Sequence, residues 1–224
     1  LALGGLAALW LPAAPPVAAA AHGRLRAMRD GLRAAAHSEI LAPVLIVNLA
    51  VGVLYVGAFL VAMPLIVRDG YRGGSAELSL VSLAFWGGTI GSTLVQIRLG
   101  AMRRPGRAIV LAVGLGAGVL AAMAWPSPFP TLVALCLVWG LGAGVVIIQA
   151  RTVVQSAAPE THRARILSLF QLGLMGGAPV GALLIGYLAA LTGPRDAVVY
   201  PAACMVLVLL GLLLRSRLWQ QGAA

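Results

Sequence analysis

Arg98-Leu99-Gly100-Ala101-Met102-Arg103-Arg104-Pro105-Gly106-Arg107 lies where two long apolar runs, Leu78–Leu99 and Ala108–Trp125, meet. Four arginines crowd these ten positions. The pattern recurs in every second gap between apolar runs: Arg24, Arg26, Arg29 and Arg33; then Arg151, Arg163 and Arg165; then Arg215 and Arg217 after the last run. Thirteen of the 16 basic residues, all of them arginine, follow this alternation, and the other gaps hold only Arg68, Arg72 and Arg195. Basic loops on one side and sparsely charged loops on the other are the positive-inside signature of a multi-span membrane protein. The stretch therefore predicts an all-α membrane fold and its orientation together, with the Arg-rich side cytoplasmic.

Composition agrees. With 61% hydrophobic and 10% charged residues, the chain is far from the balance of a soluble domain, which needs a polar surface. A net charge of +10 would suggest nucleic acid in a soluble protein. Here the arginines sit beside apolar runs and form no basic face apart from them, so they mark topology and contact lipid headgroups, and no nucleic-acid partner is expected. Cys136 and Cys204 fall inside apolar runs, and His22, His37 and His162 fall in loops. None has metal-ligand spacing, so neither metal nor cofactor is expected.

Six spans are predicted: Pro43–Val67, Leu78–Leu99, Ala108–Trp125, Thr131–Ala150, Ile166–Thr192 and Ala197–Leu214. Each approaches or exceeds the length a helix needs to cross the hydrocarbon, about 17–25 residues. None carries an interior charge, which would cost about 2.5–3.5 kcal/mol at a helix centre. Glycine and proline mark the connections at Gly70, Gly73 and Gly74, at Pro105, at Pro126, Pro128 and Pro130, and at Gly193 and Pro194. Ahead of the spans, residues 1–21 read as the end of a truncated transmembrane helix followed by a Pro-rich turn. Residues 22–39 read as a cytoplasmic linker: Leu25, Met28 and Leu32 recur at helical spacing, with Arg26, Arg29 and Arg33 on another face. That is the pattern of an amphipathic helix on the membrane surface, or else of a disordered basic linker. The six-helix unit covers 40–217 and a cytoplasmic tail 218–224.

Inside the spans, glycines recur at four-residue spacing: Gly87 and Gly91 in the second, and Gly173, Gly177 and Gly181 in the fifth, with Pro179 among them. Such stripes let helices pack closely, and they also suit helices that slide or rock. The polar residues Asn48, Tyr55, Gln96, Gln149 and Gln171 must find partners in lipid. They either bond neighbouring helices or line a substrate path. Trp86 and Trp139 lie within spans and either pack the core or stack on a flat ligand. No span holds the acidic residue that a proton- or ion-coupled carrier keeps in the membrane.

Three segments carry a family resemblance. Gly100 to Arg107 resembles a degenerate copy of the cytoplasmic loop motif Gly-x-x-x-Asp-Arg-x-Gly-Arg of the major facilitator superfamily. Arg104, Gly106 and Arg107 match, whereas Arg103 replaces the Asp and puts that residue's charge relay in question. Gln155 to Arg165 resembles the loop leading into the family's eleventh helix, with Ala164 in place of a Gly. Phe170 to Gly181 is similar to the eleventh helix of the enterobactin-exporter-like branch, a group of drug and siderophore exporters.

The resemblance implies the C-terminal six-helix half of such a transporter. It implies Gly100, Arg104, Gly106 and Arg107 as cytoplasmic gating residues and Gly87, Gly91, Gly173, Gly177, Pro179 and Gly181 as helix-interface residues. It also implies an N-terminal six-helix half as partner, a small drug-like or siderophore-like substrate, and residence in the bacterial inner membrane with a cytoplasmic C-terminus. An intramembrane enzyme is disfavoured, because no span contains the histidine that a buried protease or metal site would use. A sensor or assembly subunit on the same fold is the alternative to transport.

Overall fold

A computed structural model describes residues 36–100, 102–160 and 162–215. The expected truncated span, the linker up to residue 35 and the tail fall outside these residues. Six helices are long and apolar enough to cross a membrane: α1 (Leu41–Gly70), α2 (Ser75–Leu99), α3 (Pro105–Met123), α4 (Phe129–Ala157), α5 (Arg163–Thr192) and α6 (Val199–Arg215), the last entered through a 3-10 turn at Asp196–Val198. Strands are absent among the described residues. In hydrocarbon a backbone amide has no water to bond, and a helix satisfies each one internally.

The helix ends follow the local chemistry. Ser38 Oγ accepts the amides of Ile40 and Leu41 at 3.4 and 3.2 Å and so starts α1. Glu77 reaches back to the amide of Gly74 at 2.7 Å and starts α2. Gly100 and Gly193 end α2 and α5 with φ of 74° and 93°, a conformation that costs glycine nothing. Pro105 and Pro130 stand in the first turns of α3 and α4, where a missing amide proton is harmless.

Two helices run well past their predicted spans. α4 extends from Phe129 to Ala157 rather than over Thr131–Ala150, and α5 begins at Arg163 rather than Ile166. The apolar run marks only the part in hydrocarbon, about 30 Å thick. A 29-residue helix is about 43 Å long, so its last turns, with Arg151, extend toward the headgroups. α5 also continues unbroken through Pro179. α1 departs most from regularity, with π-helical turns at Val51–Val56, Ala58–Ala62 and Ile66–Gly70. Such turns widen a helix and are common at functional sites.

Packing is dominated by α2 on α4, followed by α1 on α5, α3 on α4 and α3 on α6. Glycine makes the two closest seams. Between α2 and α4, Gly88 lies under the Leu137 carbonyl, Gly140 under the Phe85 carbonyl, and Gly144 under the Thr89 carbonyl and the Ser92 hydroxyl. Between α1 and α5, Gly57 faces Gly181, Gly181 faces the Val53 carbonyl, and Gly177 faces the Val53 amide. Val44, Val47, Ile109, Leu120, Met123, Leu132, Ile166 and Met205 fill the remaining core. α3 is the best covered helix, half of its apolar window buried, while for α2 and α5 the share is 22%.

The expected stripes divide accordingly. Gly173, Gly177 and Gly181 pack on α1 within the unit, whereas Gly87 and Gly91 have nothing within 4 Å of where a side chain would start. On α2 it is Gly88, one residue along, that meets α4. A methyl at position 181 would run into the α1 backbone, which cannot swing aside as a side chain can. Gly181→Ala is expected to lose about 1–3 kcal/mol of stability, whereas Gly87→Ala should match or slightly exceed the parent. Thermal melting of the two purified variants in detergent checks this, and equal melting points would refute the α1–α5 seam.

Candidate functional site

Aromatic residues make up 6% of the chain, 13 side chains in all. In membrane proteins Trp and Tyr gather at the interfaces. Here Tyr55, Phe59, Phe85, Trp86 and Trp139 sit mid-helix instead and converge from α1, α2 and α4. Phe59 is the hub: its ring centroid lies 4.4 Å from that of Phe85, 5.9 Å from Trp139 and 6.5 Å from Trp86. Trp139 meets Phe85 at 5.4 Å and Tyr55 at 5.9 Å, both edge to face. Edge-to-face contacts set the positive ring edge against the negative face, worth about 0.5–1.5 kcal/mol each beyond burial.

These rings wall a cavity of about 360 Å³, within the range of small-molecule sites. Val51, Val56 and Leu60 of α1, Ala112 of α3, Ala143, Val146 and Ile147 of α4, and Leu174 and Met175 of α5 complete it. The exposed side chains Leu60, Trp86, Ile147 and Met175 form its mouth. α3 contributes one alanine and α6 nothing, so the cavity opens away from those two helices. No ionisable group except the Tyr55 phenol lines it. A larger hollow of about 580 Å³ lies between the start of α1 and α6, with Ser38 and Glu39 on its wall. It is more open and lacks the aromatic walls.

The backbone explains why the rings fit. Gly116 of α3 lies under Tyr55 and Trp139: a Cβ there would be 2.7 Å from the Tyr55 ring and 3.2 Å from Trp139 Nε1. Tyr55 and Phe59 are four residues apart and so share one face of α1. The glycine seam brings α2 close enough to α4 for Phe85 to reach Trp139.

The polar residues expected to line a path are placed differently. Asn48 donates its amide N–H to the Phe170 carbonyl at 2.5 Å and ties α1 to α5. Tyr55 donates its hydroxyl to the Val113 carbonyl at 2.6 Å and ties α1 to α3, so only its ring borders the cavity. Gln149 Nε2 donates to Gln96 Oε1 at 2.8 Å, and Gln96 Nε2 is shared between the carbonyls of Ser92 and Gly144 at 3.2 Å each. Asn48, Gln96 and Gln149 are buried and none of them lines the cavity, while Gln171 is exposed on α5. The structure thus does not gather the five into one site.

Of the loop motif, Gly100 ends α2, Arg104 is exposed just before α3, Gly106 is buried and Arg107 is half-buried. Arg98, Arg103, Arg151, Arg163 and Arg165 are exposed on the same Arg-rich side. Phe59 and Phe85 were not anticipated as site residues. The available signal was their position at the middle of a span, away from the interfacial belt.

A family model described as Major Facilitator Superfamily matches residues 1–182 and 100–221. The chain is 27% identical over 165 residues to the "Multidrug efflux pump Tap" of Mycolicibacterium fortuitum, an alignment that covers 73% of this chain and 40% of that protein. It is 27% identical over 191 residues to the pump of the same name from Mycobacterium tuberculosis (strain ATCC 25618 / H37Rv), covering 83% of this chain and 45% of that protein. The chain spans less than half the length of these curated relatives.

Hydrogen bonding separates a strut from a path. If Gln149 ties α2 to α4, Gln149→Leu should cost about 0.6 kcal/mol, the average for interhelical bonds in membranes, and at most about 1.7 kcal/mol, and leave the KM of any substrate unchanged. Melting and substrate titration of the full-length variant check this, and a raised KM at unchanged stability would return Gln149 to the path.

Proposed function

The chain belongs to the Major Facilitator Superfamily, and from that premise we propose that it works as the C-terminal six-helix half of a secondary exporter. The aromatic-walled cavity carries this reading. It is too open on the α2 and α5 side to hold a ligand alone, and a second six-helix unit docked there would close it. Alternating access then follows from rocking of the two units about a cavity near the membrane centre. Gly87, Gly91 and the exposed face of α5 around Pro179 are the surfaces on this unit where that second body would slide. Residues 22–39 would join the two units on the cytoplasmic side. The Arg-rich end and the C-terminus would face the cytoplasm of a bacterium, with the chain in the inner membrane.

Of the two substrate classes expected, the lining favours a drug-like aromatic compound. Rings stack on flat hydrophobic molecules and attract cations over their faces. An anionic siderophore would give up its hydration to walls that return no hydrogen bonds. Asn48, Gln96 and Gln149 serve such a carrier by holding α1 to α5 and α2 to α4, Gln171 faces the second unit, and Tyr55 contributes its ring to the ligand. Arg104 and Arg107, with Gly100 and Gly106 shaping the turn, would act at the cytoplasmic gate. A coupling carboxylate would lie in the second unit or at Glu77 at the outer end of α2, because the apolar interiors of these spans hold none. The function is transport, not catalysis.

The full-length protein in everted vesicles should pump a fluorescent aromatic cation, and Trp139→Ala should reduce its apparent affinity about tenfold, the equivalent of about 1.4 kcal/mol of lost stacking. Arg104→Ala should lower turnover without changing that affinity. Absence of flux for both an aromatic cation and a siderophore would support a sensor or assembly subunit instead.

A further inference from the structure

At the end opposite the Arg ladder, three turns connect α1 to α2, α3 to α4 and α5 to α6. The sequence places Arg68, Arg72 and Arg195 at this end. Arg68 pairs with Asp69 at 2.6 Å. Arg195 is held differently. It is half-buried, its Nη1 donates to the Trp125 carbonyl at 2.8 Å, and its guanidinium carbon sits 5.0 Å from the centre of the Tyr71 ring.

Tyr71 is itself anchored: its hydroxyl lies 3.3 Å from Ser127 Oγ, and its ring packs on Phe129 at 5.5 Å. A side chain at Gly70 would begin 3.2 Å from Arg195 Nη2, so glycine leaves the room that the guanidinium occupies. One side chain from the α5–α6 turn thereby holds both other turns. Below it the antiparallel α1–α4 seam continues through Met63 and Cys136, whose sulfurs are 3.9 Å apart, to Phe59 and Trp139 at the cavity.

We infer that Arg195 is a latch that makes the three turns at this end one rigid cap. The tips of α1, α4 and α5 then swing together rather than opening one by one. A guanidinium suits this work because it offers five N–H donors in a fixed plane and also stacks on an aromatic face. A hydrogen bond from a charged donor and a cation–π contact each outweigh an exposed ion pair. The inference is independent of the export reading, since its test reads a distance and not a flux.

Spin labels on Ser75 and Thr131, both exposed, report the separation of the α1–α2 and α3–α4 turns in the full-length protein carrying Cys204→Ser. With Arg195 present, one narrow distance distribution is expected. Arg195→Ala should add a population of separated turns, raising its fraction about tenfold, and Arg195→Lys should restore part of the narrow distribution. A label pair at Arg98 and Arg151, at the other end, should not change. If Arg195→Ala fails to fold, Tyr71→Leu breaks the stacking while leaving the Trp125 bond, and a smaller broadening is expected. An unaltered Ser75–Thr131 distribution in whichever of these variants folds overturns the latch, as does equal broadening at both ends, which would mean general loosening.

Discussion

Lipid tails are as apolar as leucine, so two helices in a bilayer gain little by burying apolar side chains against each other; they gain by close van der Waals contact between backbones and by interhelical hydrogen bonds. The α2–α4 and α1–α5 seams of this protein are built on that constraint. Gly88, Gly140 and Gly144 on one seam, and Gly52, Gly57, Gly177 and Gly181 on the other, remove the side chains that would hold the backbones apart. The buried amides then close over the same seams: Gln96 and Gln149 beside Gly144, and Asn48 beside Gly173.

The cavity is a consequence of those seams. With α2 drawn onto α4 and α5 onto α1, the bulky residues of each helix are displaced to the flank of the contact. Phe85 and Trp86 project from α2, Tyr55 and Phe59 from α1, and Trp139 from α4, and they meet where the two seams adjoin. Gly116 supplies the remaining space on α3. The helix whose π-turns carry both Tyr55 and Phe59 supplies more of the cavity lining than any other. The same economy holds at the Arg-poor end, where Gly70 leaves room for Arg195.

The two ends of the molecule use arginine for different purposes. At the Arg-rich end Arg98, Arg103, Arg104, Arg151, Arg163 and Arg165 are exposed, and their number is what the positive-inside rule reads. At the other end Arg195 sits against a carbonyl and a ring, where it acts through geometry. Counting charges finds the first use and passes over the second.

Chain order and composition suffice for the six spans and the turn residues. Each of these depends on local properties: the hydropathy of about 20 neighbours, the positive φ of Gly100 and Gly193, the missing proton of Pro105. The small-residue stripe of α5 was equally legible, because four-residue spacing defines one helix face. What that face touches was not. Gly87 and Gly88 are adjacent, yet a rotation of about 100° between them leaves one on the open side and puts the other against Leu137. The amides show the same limit. Their need for partners was plain from burial in lipid, but whether each bonded a helix or faced a cavity depended on register across helices about 50 to 120 residues apart in sequence. The aromatic cavity and the Arg195 contacts belong to the tertiary structure for the same reason: each joins side chains from three or more separate segments, and no local pattern encodes where such segments meet.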